Sequence, residues 1–304
     1  MALERGDALI ATAPPAERWL LIESTAAWPR QALGALQPTH DEPAVSSEVA
    51  RRCSELGYRP VLIRRHGRVD RDAVRRYALV DCRPGHESTR WGELPNDAYL
   101  LTVLEAAASN SLNTLPDLQP PTPEPIYLVC THGRHDACCA VWGRPVAATL
   151  AGAYPERTWE CSHIGGDRFA GNVVVLPHAL FYGHVPPSRA VEIVKHHAEG
   201  RVVSDLLRGS GVYSPPVQAA QHYARLAGHS DGLDSLRPAQ VRQLANHHYE
   251  ITFTAAPDRP GGDLALVVEV SVHFDTMDAR LTCAGKAPVQ VRRFELHGIA
   301  SVGG

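Results

Sequence analysis

Lysine is almost missing from this chain. Lys and Arg together number 30 of the 304 residues, and only Lys195 and Lys286 are lysines. Positive charge therefore rests on arginine, whose planar fork suits carboxylate and phosphate geometry. Asp and Glu number 33, giving a formal net charge of −3. That balance excludes a protein built mainly to neutralise a nucleic-acid backbone. No run of eighteen apolar residues occurs, so no membrane-spanning helix is expected. The opening stretch MALERGDALIATAPPAERW carries charge early and has no apolar h-region, so it does not read as a signal peptide. A cytoplasmic location is expected. The chain also lacks a C-x2-C pair, the spacing of an ordinary dithiol redox couple.

Cysteine, by contrast, is plentiful: Cys53, Cys82, Cys130, Cys138, Cys139, Cys161 and Cys283. An odd number, in a chain of this length without a secretion signal, is a poor disulfide framework. Four of the seven fall between positions 130 and 161. Core filling does not account for that crowding; it needs a chemical explanation.

The 44% apolar content is enough to bury roughly three quarters of the unfolded surface, and the length suggests about two domains. WLLIES (19–24) reads as a strand, and EPAVSSEVARRCSELG (42–57) as a helix closed by Gly57. RPVLIRR (59–65) and RYALVD (76–81) read as strands around a turn at Gly67, followed by a helix over 97–107. Five prolines within 115–125 mark a boundary. Beyond it come the strand IYLVC (126–130), a helix near 140–152 and a strand near 158–162. NVVVLP (172–177), ALFYGHV (179–185) and the helix 188–200 complete a loose repeat of the first half. VQAAQHYARLAG (217–228) and RPAQVRQLANHH (237–248) read as helices, and YEITFTA, DLALVVEVSVHF and QVRRFELHG as an antiparallel strand patch. The expected organisation is α/β, with two thioredoxin-like units over 1–118 and 119–232 and an α+β extension over 233–304.

Two segments concentrate the chemistry. CTHGRHDACCAVWGRP holds Cys130, His132, His135, Asp136, Cys138 and Cys139; CSHIGGDRFAGNVVVLP holds Cys161, His163, Asp167 and Arg168. Each opens at the end of an apolar strand. Adjacent parallel strands would bring those ends together, where α/β folds commonly place their sites. Thiolates and imidazoles form a soft donor set suited to zinc or iron–sulfur chemistry. The C-x8-C spacing is longer than the knuckle of a common structural zinc site and suits a larger object such as a two-iron cluster. Gly165 and Gly166 permit close backbone approach, and their amides are candidates for hydrogen bonds to bridging sulfides.

The stretches CTHGRHDACCAVWG and SHIGGDRFAGNVVV resemble those of the sucrase/ferredoxin-like family, over roughly residues 15 to 230. The resemblance implies a thioredoxin-like fold, a [2Fe–2S] cluster and one-electron transfer rather than stand-alone catalysis. It implies Cys130 and Cys139 as thiolate ligands and His163 as the first imidazole. A second histidine is expected in the slot after SHIGG, where this chain has Asp167, so Asp167 becomes the candidate fourth ligand, with Cys161 and Cys138 as substitutes. A carboxylate there would make the oxidised site −1 overall, between the neutral two-histidine case and the −2 four-thiolate case.

Other readings of the same residues are a zinc site, a thiol-active thioredoxin-like protein and, more remotely, a cysteine-dependent hydrolase using Cys130 and His163. The segment 51–76 holds nine arginines against Glu55, Asp70 and Asp72. It reads as a solvated surface or as the docking patch of an acidic redox protein or reductase. Without interleaved aromatics it does not suit nucleic acid.

Overall fold

The computed structural model describes residues 6–36, 45–67, 73–254, 264–278, 280–282, 285 and 287–303. Cys283, Lys286 and positions 68–72 of the arginine run lie outside the described residues, as do 42–44 at the head of the first expected helix.

The first run of elements is β1 (Arg18–Glu23), α1 (Val45–Glu55), β2 (Tyr58–Arg64), β3 (Arg75–Asp81), β4 (Ser88–Leu94) and α2 (Tyr99–Ala108). The second run is β5 (Ile126–Cys130), α3 (Ala137–Ala153), β6 (Thr158–Cys161), β7 (Val173–Leu176), β8 (Leu180–Tyr182) and α4 (Ala190–Ala198). In each, the first two strands are parallel across a helix, the third lies antiparallel beside the first, and the fourth beside the third. This is a thioredoxin-like arrangement, made twice. β2 and β6 then pair antiparallel at Ile63–Cys161 and Arg64–Glu160. With β9 (Leu207–Ser210) at one edge, the result is one nine-stranded sheet ordered β4-β3-β1-β2-β6-β5-β7-β8-β9. β4 was not among the expected strands; STRWGEL lacks the apolar run that marks its neighbours.

Alternation of side chains divides the core. Leu20, Ile22, Leu62 and Leu79 pack under α1 and α2, and Tyr127, Val129, Val173 and Val175 pack under α3 and α4. The opposite face is shared by both halves and includes Trp19, Leu21, Ile63, Leu128, Cys130, Trp159 and Cys161. Arginines from the 51–76 segment help cover it. Arg59 lies over Trp19, Arg65 over Trp159 and Arg76 over Trp91, at 5.1, 3.7 and 4.6 Å from the ring centroids. Arg51 and Arg52 pair with Glu48, and Arg75 with Asp97. Much of this arginine run is thus engaged within the fold.

α5 (Pro215–Leu226) packs Val217, Ala220 and Ala224 on a second, antiparallel sheet of β10 (Pro238–Ala245), β11 (His248–Phe253), β12 (Leu264–Met277) and β13 (Val289–Gly303). The helix expected at 237–248 is not there. Its residues form β10, paired antiparallel with β11, and a turn in which His247 has φ 59°. Ala, Gln, Leu and Arg are good helix formers, but propensity is a small preference that strand pairing overrides. Pro238 opens an edge strand, where its missing N–H is tolerated. His247 and His248 therefore mark a hairpin, not a helix end.

His197, on α4, lies with its Nε2 3.1 Å from Nδ1 of His178. Burial, reinforced by His178, pushes its pKa down to about 4. The folded chain thus keeps His197 neutral while the unfolded chain protonates near pH 6.5. Stability is full above that value and is lost as pH falls toward 4, by on the order of 3 kcal/mol. Urea unfolding from pH 7 to 4 is expected to show this loss, and His197→Phe to flatten it.

Candidate metal centre

β5 and β6 run parallel with Cys130 opposite Cys161, so the loops that follow both strands leave the sheet at one edge. After β5 the chain turns back through 131–136 into α3. Asp136 caps that helix, its Oδ1 accepting from the Cys138 amide at 2.9 Å. Cys139 falls on the inward stripe with Gly143, Val146, Ala147 and Leu150. A Cβ at Gly143 would lie 2.0 Å from the Cys130 carbonyl oxygen. That close approach brings Cys139 in the helix's first turn against Cys130 at the strand end. Both are 1% exposed.

After β6, Gly165 and Gly166 adopt φ 90° and 85°, left-handed values that only glycine takes without strain. They lead into a 3-10 turn, Asp167–Phe169, and aim Asp167 back at the cysteines. Its Oδ1 lies 3.6 Å from Cys139 Sγ and 2.7 Å from His163 Nδ1. The contact with His163 is an ion-pair distance, and among the described residues Nδ1 has no hydrogen bond of aligned geometry. Cys130, Cys139 and His163 form one triad with donor atoms within 4.8 Å of one another; His135, His163 and Asp167 form a second. Neither includes Cys161 or Cys138.

The Cys139 thiol, backed by His163, holds Cys130 well below the usual thiol range, and Cys139 is correspondingly raised. Burial alone would lower His163, but Asp167 and Cys130 outweigh it and raise its pKa to about 9. Burial drives Cys161 well above the thiol range. Two thiols, an imidazole and a carboxylate thus converge in a buried place. The donor set fits a soft or borderline metal ion or an iron–sulfur cluster.

Residues 9–209 match the family model described as sucrase/ferredoxin-like. The chain belongs to that family. Two curated relatives, both named Altered inheritance of mitochondria protein 32, come from Candida glabrata and Meyerozyma guilliermondii. The first is 30% identical over 96 residues, covering 27% of this chain and 31% of the relative. The second is 30% identical over 95 residues, covering 28% and 34%. The match therefore spans about a third of each relative's length. No solved structure matches.

In this sucrase/ferredoxin-like protein the two histidines of the C-x8-C loop differ in role. His132 is buried, and burial lowers its pKa. Its Nε2–H donates to the Pro29 carbonyl at 2.8 Å, and Nδ1 accepts from the His163 amide at 3.3 Å. Both nitrogens are used, so His132 positions the His163 loop. His135 stacks face to face on His163, with centroids 3.8 Å apart, and places Nε2 3.6 Å from Asp167 Oδ2. His135 is not among the ligands expected from the sequence. Its location inside the C-x8-C loop, just before a helix cap, was the available signal.

Gly143→Ala tests the close approach. Its methyl would drive α3 off the strand end, as overpacking does, at a cost of about 1–3 kcal/mol or more. Reduced stability in urea unfolding is expected; Gly152→Ala, whose Cβ meets nothing within 4 Å, is the control for helix substitution.

Proposed function

We propose that this protein holds a [2Fe–2S] cluster through Cys130, Cys139, His163 and Asp167 and exchanges single electrons with a redox protein or reductase. The observation that supports the reading is the pair of triads that share His163, which bring two thiols, an imidazole and a carboxylate to one place. When bound, the cluster supplies a one-electron couple. The protein's part is to bury the two thiolates, orient His163 through His132, and keep solvent from all but the partly open imidazole edge. His163 and His135 side chains are 24% and 29% exposed, and that edge is the proposed route to the partner. The fungal relatives' name refers to mitochondria. For this chain, with no membrane-crossing helix among the described residues, a cytoplasmic site of action is proposed.

Zinc is the second reading, because Cys130, Cys139, His163 and Asp167 also make a complete four-ligand set for one tetrahedral ion. Deep burial of both thiols disfavours attack on a bulky disulfide or acyl substrate, as a thiol-active protein or a hydrolase would require.

Anaerobic purification decides between the readings. Brown protein with about two iron and two sulfide per chain is expected; colourless protein with stoichiometric zinc would overturn the cluster. Cys130→Ser and Cys139→Ser should abolish the visible spectrum, and Asp167→Asn should shift or remove it. Cys161→Ser and Cys138→Ser should leave it in place.

A further inference from the structure

A fully buried guanidinium needs negative charge somewhere near it. Arg208, on β9, is 2% exposed, yet among the described residues all four of its hydrogen bonds go to neutral oxygens. Nη1 donates to the Gly165 carbonyl at 2.9 Å and to Asn172 Oδ1 at 2.7 Å. Nη2 donates to the Thr12 carbonyl at 2.6 Å, and Nε to Thr12 Oγ1 at 3.1 Å. Among the described residues it makes no ion pair. Phe169 and Phe181 flank it, 5.1 and 5.7 Å from ring centroid to guanidinium carbon.

What Arg208 touches is the loop that carries Asp167. It binds the carbonyl of Gly165, and Asn172, which it also binds, donates through Nδ2 to the carbonyl of Gly166 at 2.8 Å. A Cβ on Gly166 would lie 2.4 Å from Nη2, so the loop and the guanidinium are in close contact. The negative groups in its electrostatic neighbourhood are Cys130 and Asp167; Arg168 and Arg59 are the like charges. Arg168 is 3.6 Å from Asp7, and Arg59 lies over Trp19.

We infer that Arg208 is a positioning residue with a second, electrostatic role: it fixes the Gly165–Gly166 turn that delivers Asp167, and its buried charge balances the negative charge of the ligand set. The inference rests on the proposed metal site. Two thiolates and a carboxylate around a cluster leave a net negative charge, and reduction adds one more. A cation in a low-dielectric interior favours the reduced form and is poorly screened by salt.

The experiment is a redox titration of the iron-loaded protein, followed by visible absorption and electron paramagnetic resonance. Arg208→Gln is expected to move the midpoint to more negative potential. Arg208→Lys, which keeps the charge and loses the fork, is expected to restore most of that shift. A midpoint unchanged in Arg208→Gln overturns the electrostatic role. A double-mutant cycle on metal-free protein, read by urea unfolding, pairs Arg208→Gln with Asp167→Asn. Removing both charges is expected to cost less than the two single losses together; simple additivity overturns the pairing. If Arg208→Gln alone does not fold, the double variant is expected to recover folding, and its failure to do so counts against the inference. The cycle needs no iron, so it separates failure of the Arg208 assignment from failure of the cluster assignment.

Discussion

The parallel pairing of β5 with β6 is the constraint on which the site depends. It sets Cys130 opposite Cys161 and sends both following loops out at one sheet edge. Nothing in that pairing brings a second thiol to Cys130; this is the work of α3, which approaches so closely that position 143 has no room for a side chain. Strand register and helix approach together place two residues nine positions apart in sequence at one point. The loop between them is thereby closed, and His132 and His135 are carried to the same edge.

The charges at that edge are mutually dependent. A buried thiolate is costly unless paired or hydrogen-bonded, and Cys130 has both the Cys139 thiol and His163. Asp167 faces His163 and His135, while Arg208 lies behind its loop. Removing any one of these groups leaves another buried charge less well compensated. In the metal-free chain, His163 lowers the pKa of Cys130, and Asp167 and Cys130 raise that of His163, so each favours the other's charged form. A bound metal would take over the positive role, because metal ligands must be deprotonated. The arrangement thus suits either condition without an isolated buried charge.

Much of this was legible in the sequence, for identifiable reasons. Apolar runs such as IYLVC announce buried strands and place Cys130 at a strand end, whereas the choice of Cys139, His163 and Asp167 comes from the family resemblance. Arg208 was not legible. It lies 41 positions beyond Asp167 in a strand, LRGS, with little apolar character, and only the β8–β9 pairing brings it home. β4 failed to register for a similar reason: STRWGEL is a strand because β3 offers it an edge. The segment 237–248 erred in the opposite direction, since residues suited to a helix are held extended by β11. Local propensity is decisive only where tertiary pairing does not contradict it.

The duplicated layout gives the first half a role in a site whose proposed ligands all lie in the second. The chain beyond β1 reaches across the β2–β6 seam, so that Pro29 accepts from His132 and the Arg30 carbonyl lies 3.4 Å from His135 Nδ1. β2 supplies Arg59, a positive neighbour of Cys161 and Cys130. At the same seam, Arg64 binds Glu160 at 2.8 Å, and Glu160 accepts from Thr131 at 2.9 Å, the residue next to Cys130. Burial alone would raise the Glu160 pKa, but His66 and Arg64 hold it down, so the carboxylate stays charged and the seam stays tied. The second thioredoxin-like unit would expose β6 as a bare edge and leave its two loop histidines without their carbonyl partners. The first unit covers that edge and orients those rings, so the candidate metal centre is a product of both halves even though one half provides every proposed donor.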